Sequence, residues 1–270
     1  MKSKIKIYSI FSENEFKRNI AYKGSFYLFV LCSMFSVFIN FYLWMAIYSD
    51  NQVINGMTKN EMIVYVFMSF IISTIVMIDI SDNMTNDVIK GDIIMNLIKP
   101  IDYRLTLISR AIGIMCYRFI VPSVFIWIGL EIYRVTCLDM EFTGILSICL
   151  FLISTIFSFF IYVLLDFTIG IVGFFTTYIY GLNLAKKAII SFLSGALIPI
   201  SFFPSLIQDI FSMLPFSSLV YNPVMIYLNK YSGEEILFVF LKQIIWILIL
   251  YVLGKILWNK VTKKIIVLGG

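Results

Sequence analysis

The feature that most constrains this chain is a series of apolar runs about as long as a bilayer is thick. A helix needs about 20 apolar residues to cross the ~30 Å hydrocarbon layer, and such runs begin near residues 25, 61, 105, 143, 188 and 236. Of the 270 residues, 60% are hydrophobic and 14% charged, against about 45–50% and about 25% in soluble domains. Lipid offers no hydrogen bonds to a bare backbone, so these runs are expected to be helical. The fold class is therefore all-α: a polytopic membrane protein with a single transmembrane domain over residues 1–270 and almost no chain left for a soluble one.

The expected spans are about 25–48, 61–80, 105–130, 143–180, 188–203 and 236–258, with Glu131 to Glu141 as a short outer loop. The run from Phe142 to Leu184 is too long for one simple span and too short for two with a soluble loop. Charge parity decides. A single crossing puts Lys186, Lys187, Lys255, Lys260, Lys263 and Lys264 in the cytoplasm, whereas a double crossing turns them outward, against the positive-inside rule. The run is therefore read as one long span, tilted or broken near Asp166, Gly170 and Gly173. Both termini are then cytoplasmic. All but five of the 21 Lys and Arg lie in or beside cytoplasmic segments, the five being Lys59, Arg134, Lys230, Lys242 and the intramembrane Arg118. The net charge of +5 follows from that bias and implies no nucleic-acid partner. Residues 1–23 mix Lys2, Lys4, Lys6, Lys17, Arg18 and Lys23 with Ile5, Tyr8, Phe16 and Ile20 at helical spacing. This reads as an amphipathic helix on the inner leaflet; the alternative is a disordered tail.

Several function classes drop out. There is no histidine, so HExxH metal sites and Ser-His-Asp triads cannot be built within the chain. Cys32, Cys116 and Cys149 sit in apolar runs and Cys137 stands alone, with no CxxC or disulfide framework. No internal repeat of the kind common in secondary transporters is visible.

Two segments carry the functional expectations. In Ser81–Asp102 (SDNMTNDVIKGDIIMNLIKPID) the residues Met84, Val88, Met95 and Ile98 recur at helical spacing, while Asn83, Asp87 and Lys90 fill another face. A short amphipathic helix over 82–99 follows, weakened at Gly91 and stopped at Pro100. It either docks in a groove of a soluble partner or rests on the lipid surface. In Ser194–Pro223 an apolar sequence contains Pro199, Pro204, Pro215 and Pro223. An interior proline costs a helix roughly 3 kcal/mol, and freed backbone groups must be buried in protein or sit at the interface. The reading is a pair of short re-entrant helices over about 204–223; the alternative is an ordinary outer loop.

These residues resemble the ABC-2-type permeases. The likeness rests on Ala21-Tyr22-Lys23-Gly24 before span 1, on Gly91-Asp92, Leu97 and Pro100, and on Ser194-Gly195, Pro199, Phe203-Pro204, Leu214-Pro215-Phe216 and Pro223. It covers nearly the whole chain and is nearest the small bacterial permeases grouped with drug and peptide exporters. The resemblance implies a six-span subunit in the bacterial cell membrane that pairs with a second permease, identical or related. It also implies a dimer of separate ATPase subunits. Met84, Asp87, Val88, Gly91, Asp92, Met95, Leu97 and Pro100 would form the coupling helix. Gly195, Pro199, Phe203, Pro204, Pro215 and Phe216 would form a re-entrant outer gate. The chain has no G-x-x-x-x-G-K-[ST] string, so ATP and Mg are expected on the partner, with no cofactor and no enzyme activity here.

Intramembrane charges read by default as pathway or pairing residues. Asp79 and Arg110, near the inner ends of spans 2 and 3, either pair or snorkel to the interface. Arg118 and Asp166 lie deeper and are expected to pair with each other. The abundance of aromatic residues, 26 Phe and 16 Tyr, favours a hydrophobic or amphipathic cargo. The competing readings are an ion-coupled secondary transporter, for which Asp166 is the deep acid, and a non-transporting immunity or anchor protein.

Overall fold

The computed structural model describes residues 2–21, 23–49, 52–174 and 180–268, which are helical apart from turns and one small hairpin. After α1 (Lys2–Ala21) and α2 (Lys23–Tyr48), strands β1 (Val53–Ile54) and β2 (Met57–Thr58) pair antiparallel, Val53 opposite Thr58. The turn between them is Asn55-Gly56, both at positive φ (47° and 76°), as a two-residue hairpin loop matched to strand twist requires. The polar stretch between the first two apolar runs is thus a small hairpin, and its Asn-Gly pair is the sequence signal for it.

Helix α3 (Lys59–Val76) starts with a reciprocal cap: the Glu61 N–H donates to the Thr58 hydroxyl, and the Thr58 N–H donates to the Glu61 carboxylate. Buried residues line most of it, so α3 is the centre of the bundle. It ends at Val76, short of the expected 80, and residues 77–80 form a turn into α4 (Ser81–Ile89). Helix α5 (Asp92–Ile98) follows across Gly91, whose φ of +76° only glycine adopts cheaply.

Helices α6 (Tyr103–Arg118) and α7 (Val124–Cys137) join through a π turn at Phe119–Ser123 that contains Pro122. Proline has no N–H to give the Arg118 carbonyl. The Ser123 hydroxyl donates to that carbonyl instead, at 2.8 Å. The joined helix is 35 residues long, or about 52 Å at 1.5 Å per residue, so it outreaches a ~30 Å hydrocarbon layer. It also runs past the expected end at 130. Glu131 is therefore helical rather than in a loop: its carboxylate accepts from Thr143 at 2.7 Å and from Tyr227, and it pairs with Arg134 at 3.2 Å.

Helix α8 (Ile145–Gly170) is 26 residues with no internal proline or glycine and continues as a 3-10 turn to Phe174. The expected break near Asp166, Gly170 and Gly173 falls there; residues 175–179 lie outside the described set. Helix α9 (Tyr180–Leu193) occupies a different stretch from the expected fifth span at 188–203. Lys186 and Lys187, expected at the edge of that span, lie mid-helix, because Lys186 is neutralised inside the protein. Then come α10 (Ser205–Met213), α11 (Tyr221–Tyr227) and α12 (Gly233–Leu268), with 3-10 turns at Ile200–Phe202 and Phe216–Ser218.

Among the described residues, four stretches are long and apolar enough to cross a membrane: 59–89, 103–137, 145–170 and 233–263. A shorter apolar helix segment covers Met34–Tyr48. Large apolar side chains on α2 and α12, such as Phe35, Ile39, Leu237 and Phe238, are exposed, as lipid-facing surfaces are. Helix α1 packs along α6. A Cβ added to Gly113 would collide with the Ser12 carbonyl, so only glycine permits this approach. Phe16 meets Tyr117 edge to face, and the Asp102 N–H donates to the Tyr8 hydroxyl at 3.0 Å.

Candidate functional site

The most concentrated polar chemistry lies where the turn before α4 meets the end of α8 and the middle of α9. Asp166, on the last full turn of α8, is fully buried. Its Oδ2 accepts from the backbone N–H groups of Ile80 (2.7 Å) and Ser81 (2.8 Å). Its Oδ1 accepts from the Ser81 hydroxyl (3.0 Å) and from Lys186 Nζ (2.5 Å). Helix α4 lacks a side-chain cap from its own N-terminal residue, Ile80, and a helix start leaves unsatisfied N–H donors that favour an anion. Asp166 supplies that anion from another helix. Lys186, 5% exposed, makes the charge tolerable: it also donates to Ser81 Oγ at 2.7 Å and to Asp79 Oδ1 at 3.1 Å. Asp79 in turn accepts from the Tyr162 hydroxyl (3.1 Å) and pairs with Lys187 (2.9 Å).

The expected Arg118–Asp166 pair is replaced, and of the two alternatives for Asp79 and Arg110 the structure does not form their pair. Asp166 pairs with Lys186 instead of Arg118. Arg118 donates to the Thr74 and Met77 carbonyls at 3.2 and 3.0 Å, satisfying the C-terminal end of α3. Asp79 pairs with Lys186 and Lys187 instead of Arg110, while Arg110 lies 3.8 Å from Glu15 and over the Phe11 ring of α1. Lys186, expected as a cytoplasmic charge, is instead the buried partner. The available signal was that a deep acid needs a cation, and Lys186 lies at the middle of the next α-helix. Asp79, Arg118, Tyr162, Lys187 and Ser73 line a cavity of about 340 Å³ between α3, α6, α8 and α9.

Of the residues expected to meet a partner, the structure divides the set. Met84 is fully buried beneath Gly170, where an added Cβ would lie 3.0 Å from Met84 Sδ and from Ser81 Cα. Val88 and Leu97 pack against the core, and Asp87 accepts from the Tyr103 hydroxyl (2.7 Å) and from Asn96 (3.1 Å). The face predicted to dock therefore points inward for Met84, Val88 and Leu97: Met84 seats α4 on α8, and Val88 and Leu97 pack against the core. Met95 is 63% exposed, Asp92 and Pro100 are exposed, and Gly91 is the joint between the two short helices. Ile89, Ile94 and Ile98, at 59%, 51% and 73% exposure, complete an apolar outer edge; of these only Ile98 had been noticed in the periodicity.

In the second segment each proline sits where a short element begins. Pro199, Pro204 and Pro215 directly precede the 3-10 turn at 200–202, helix α10 and the 3-10 turn at 216–218. Gly195, at φ +81°, turns the chain after α9, and its carbonyl accepts from Tyr65 at 2.6 Å. Phe203 packs with Phe192 and Phe211, and Phe216 packs on the core. Helix α10 buries none of its residues, whereas α11 is buried from Asn222 to Tyr227. The proline-broken segment is thus half seated and half exposed.

The family model described as ABC-2 family transporter protein matches residues 34–266. No curated protein and no solved structure matches the chain. The match takes in every helix from α3 to α11, with both the α4–α5 pair and the proline-broken segment, so the chain belongs to the ABC-2 transporter family and is a multi-pass membrane permease of an ABC transporter.

Proposed function

We propose that this chain is one permease subunit of an ATP-driven exporter in a bacterial plasma membrane, with α4–α5 docking on a separate ATPase. The observation that carries this reading is the exposed apolar edge Ile89, Ile94, Met95 and Ile98 on two short helices whose other side is seated in the core. An apolar helix face offered beside a membrane domain suits a groove on a soluble partner. In the proposed topology α2 and α9 join the four long stretches as the first and fifth of six spans, and both termini are cytoplasmic. Pairing with a second permease, identical or related, belongs to the same reading. So does a re-entrant placement of α10 and α11 on the outer side.

The cargo class proposed is hydrophobic or amphipathic. An apolar cavity of about 690 Å³ between α2, α3 and α7, lined by Met34, Phe38, Phe67, Phe125 and neighbours, supports it. The saturation of Asp166 by four donors favours this reading over an ion-coupled carrier, since its oxygens have little capacity left for a transported ion. Purification from the native host in mild detergent tests the proposal. A stoichiometric P-loop protein in the eluate supports it, and a chain that repeatedly purifies alone overturns it.

A further inference from the structure

The N-terminus of α4 and the middle of the outer segment are both fastened to one stiff helix. At its inner end α8 caps α4 through Asp166, 2.7 and 2.8 Å from the Ile80 and Ser81 amides. Beside it, Met84 and Ser81 press onto Gly170 so closely that an added Cβ would lie 3.0 Å from each. Two turns earlier, or about 12 Å along the helix, the Ser158 hydroxyl donates to the Ser218 carbonyl at 2.5 Å. Gln243 of α12 donates to that same carbonyl and to the Ser154 carbonyl, both at 3.2 Å. Further out, Phe151 of α8 packs against Tyr227 of α11, ring centroids 5.4 Å apart. Between these fastenings α8 has neither proline nor glycine, the usual causes of a kink. A helix of this kind moves as a body.

We propose that Asp166 is a positioning residue that locks the start of α4 to α8, so that motion imposed on α4–α5 is carried along α8 to 216–227 and on to α10, which packs against the turn at 216–218. Lys186 is the counter-charge that lets a fully buried carboxylate serve as that cap. The inference rests on the docking reading given under the proposed function, and deepens it by naming the joint through which the dock acts. The turn at residues 77–80 gives the joint its purpose. Helix α3 does not run on into α4, so the contact with α8 fixes the orientation of α4 more firmly than the chain leading into it.

Two readouts test the lock. Hydrogen–deuterium exchange on the purified chain reads the cap itself. In Asp166→Ala the Ile80 and Ser81 amides exchange at least tenfold faster than in the parent. Asp166→Asn, which keeps an acceptor oxygen, falls between the two. The mechanical role is read on the permease–ATPase complex carrying Asp209→Cys, in a background with Cys32, Cys116, Cys137 and Cys149 changed to Ser. In the parent, trapping with ATP and vanadate changes the rate of labelling by a water-soluble maleimide severalfold. In Asp166→Ala the change at 209, measured per ATPase captured, falls below twofold. Should that variant not fold, Asp166→Asn carries both readouts. Unchanged exchange at Ile80 and Ser81, or an undiminished response at 209, overturns the inference alone. A parent that captures no ATPase and shows no nucleotide response overturns the transporter reading beneath it.

Discussion

Replacing Lys186 by Met keeps most of the side-chain volume and removes the cation 2.5 Å from a fully buried carboxylate. Breaking one partner of a buried ion pair costs about 3–5 kcal/mol, because the other charge is left without its partner. Asp166 keeps three donors, the Ile80 and Ser81 amides and the Ser81 hydroxyl. Asp79 keeps Lys187. These residual partners place the expected loss at the low end, near ~3 kcal/mol. For a chain of this size a loss of 1 kcal/mol lowers Tm by about 2–4 °C, so Lys186→Met should melt roughly 6–12 °C below the parent. Thermal unfolding of the four members of the Lys186→Met and Asp166→Asn cycle in detergent measures it. The double variant, with both charges gone, should recover ~2 kcal/mol relative to the sum of the singles, as contacting residues couple by about 0.5–3 kcal/mol. A Lys186→Met loss below ~1 kcal/mol, or strict additivity within ~0.5 kcal/mol, would refute the pairing of these two residues.

Other consequences are as specific. Ile98→Asp should abolish capture of the ATPase while leaving Tm within about 1 °C of the parent, because Ile98 is exposed, whereas Met84→Asp should fail to fold at the buried seat of α4; pull-down alongside melting separates the two. Gly113→Val puts a side chain into the Ser12 carbonyl, so α1 should detach and its sites should be cleaved at least tenfold faster in limited proteolysis. Tyr65→Phe removes the hydrogen bond to the Gly195 carbonyl and leaves that carbonyl without this donor, a loss of about 1–3 kcal/mol readable by thermal unfolding.

The long apolar helices expected over 61–80, 105–130, 143–180 and 236–258 were legible because an apolar run of bilayer length admits one regular structure, and helices α3, α6–α7, α8 and α12 overlap them. Their ends were less legible. The Asn55-Gly56 hairpin and the Thr58–Glu61 capping box are local signals and were available to reading. The π turn at Pro122 was not, since whether a proline breaks a helix or is absorbed depends on a neighbour such as Ser123 taking over the orphan carbonyl. Helix α9 begins at Tyr180, ahead of the expected 188, because two lysines look like a membrane boundary until one is seen to be neutralised within. The charge partners were illegible for the same reason. Asp166, Arg118 and Lys186 are all plausible mates by depth, and only the packing of α9 against α8 and the turn before α4 selects Lys186. Periodicity found the amphipathic stretch over 82–99, yet it could not say which apolar side faced the core. Met84 and Met95 look equivalent in sequence, and tertiary contacts alone separate them.

The docking claim meets its most direct test in site-specific photocrosslinking in native membranes, with the crosslinker placed in turn at positions 84, 95 and 98. The account predicts adducts with a P-loop protein from 95 and 98 and none from 84. Adducts to lipid alone from all three positions would contradict it.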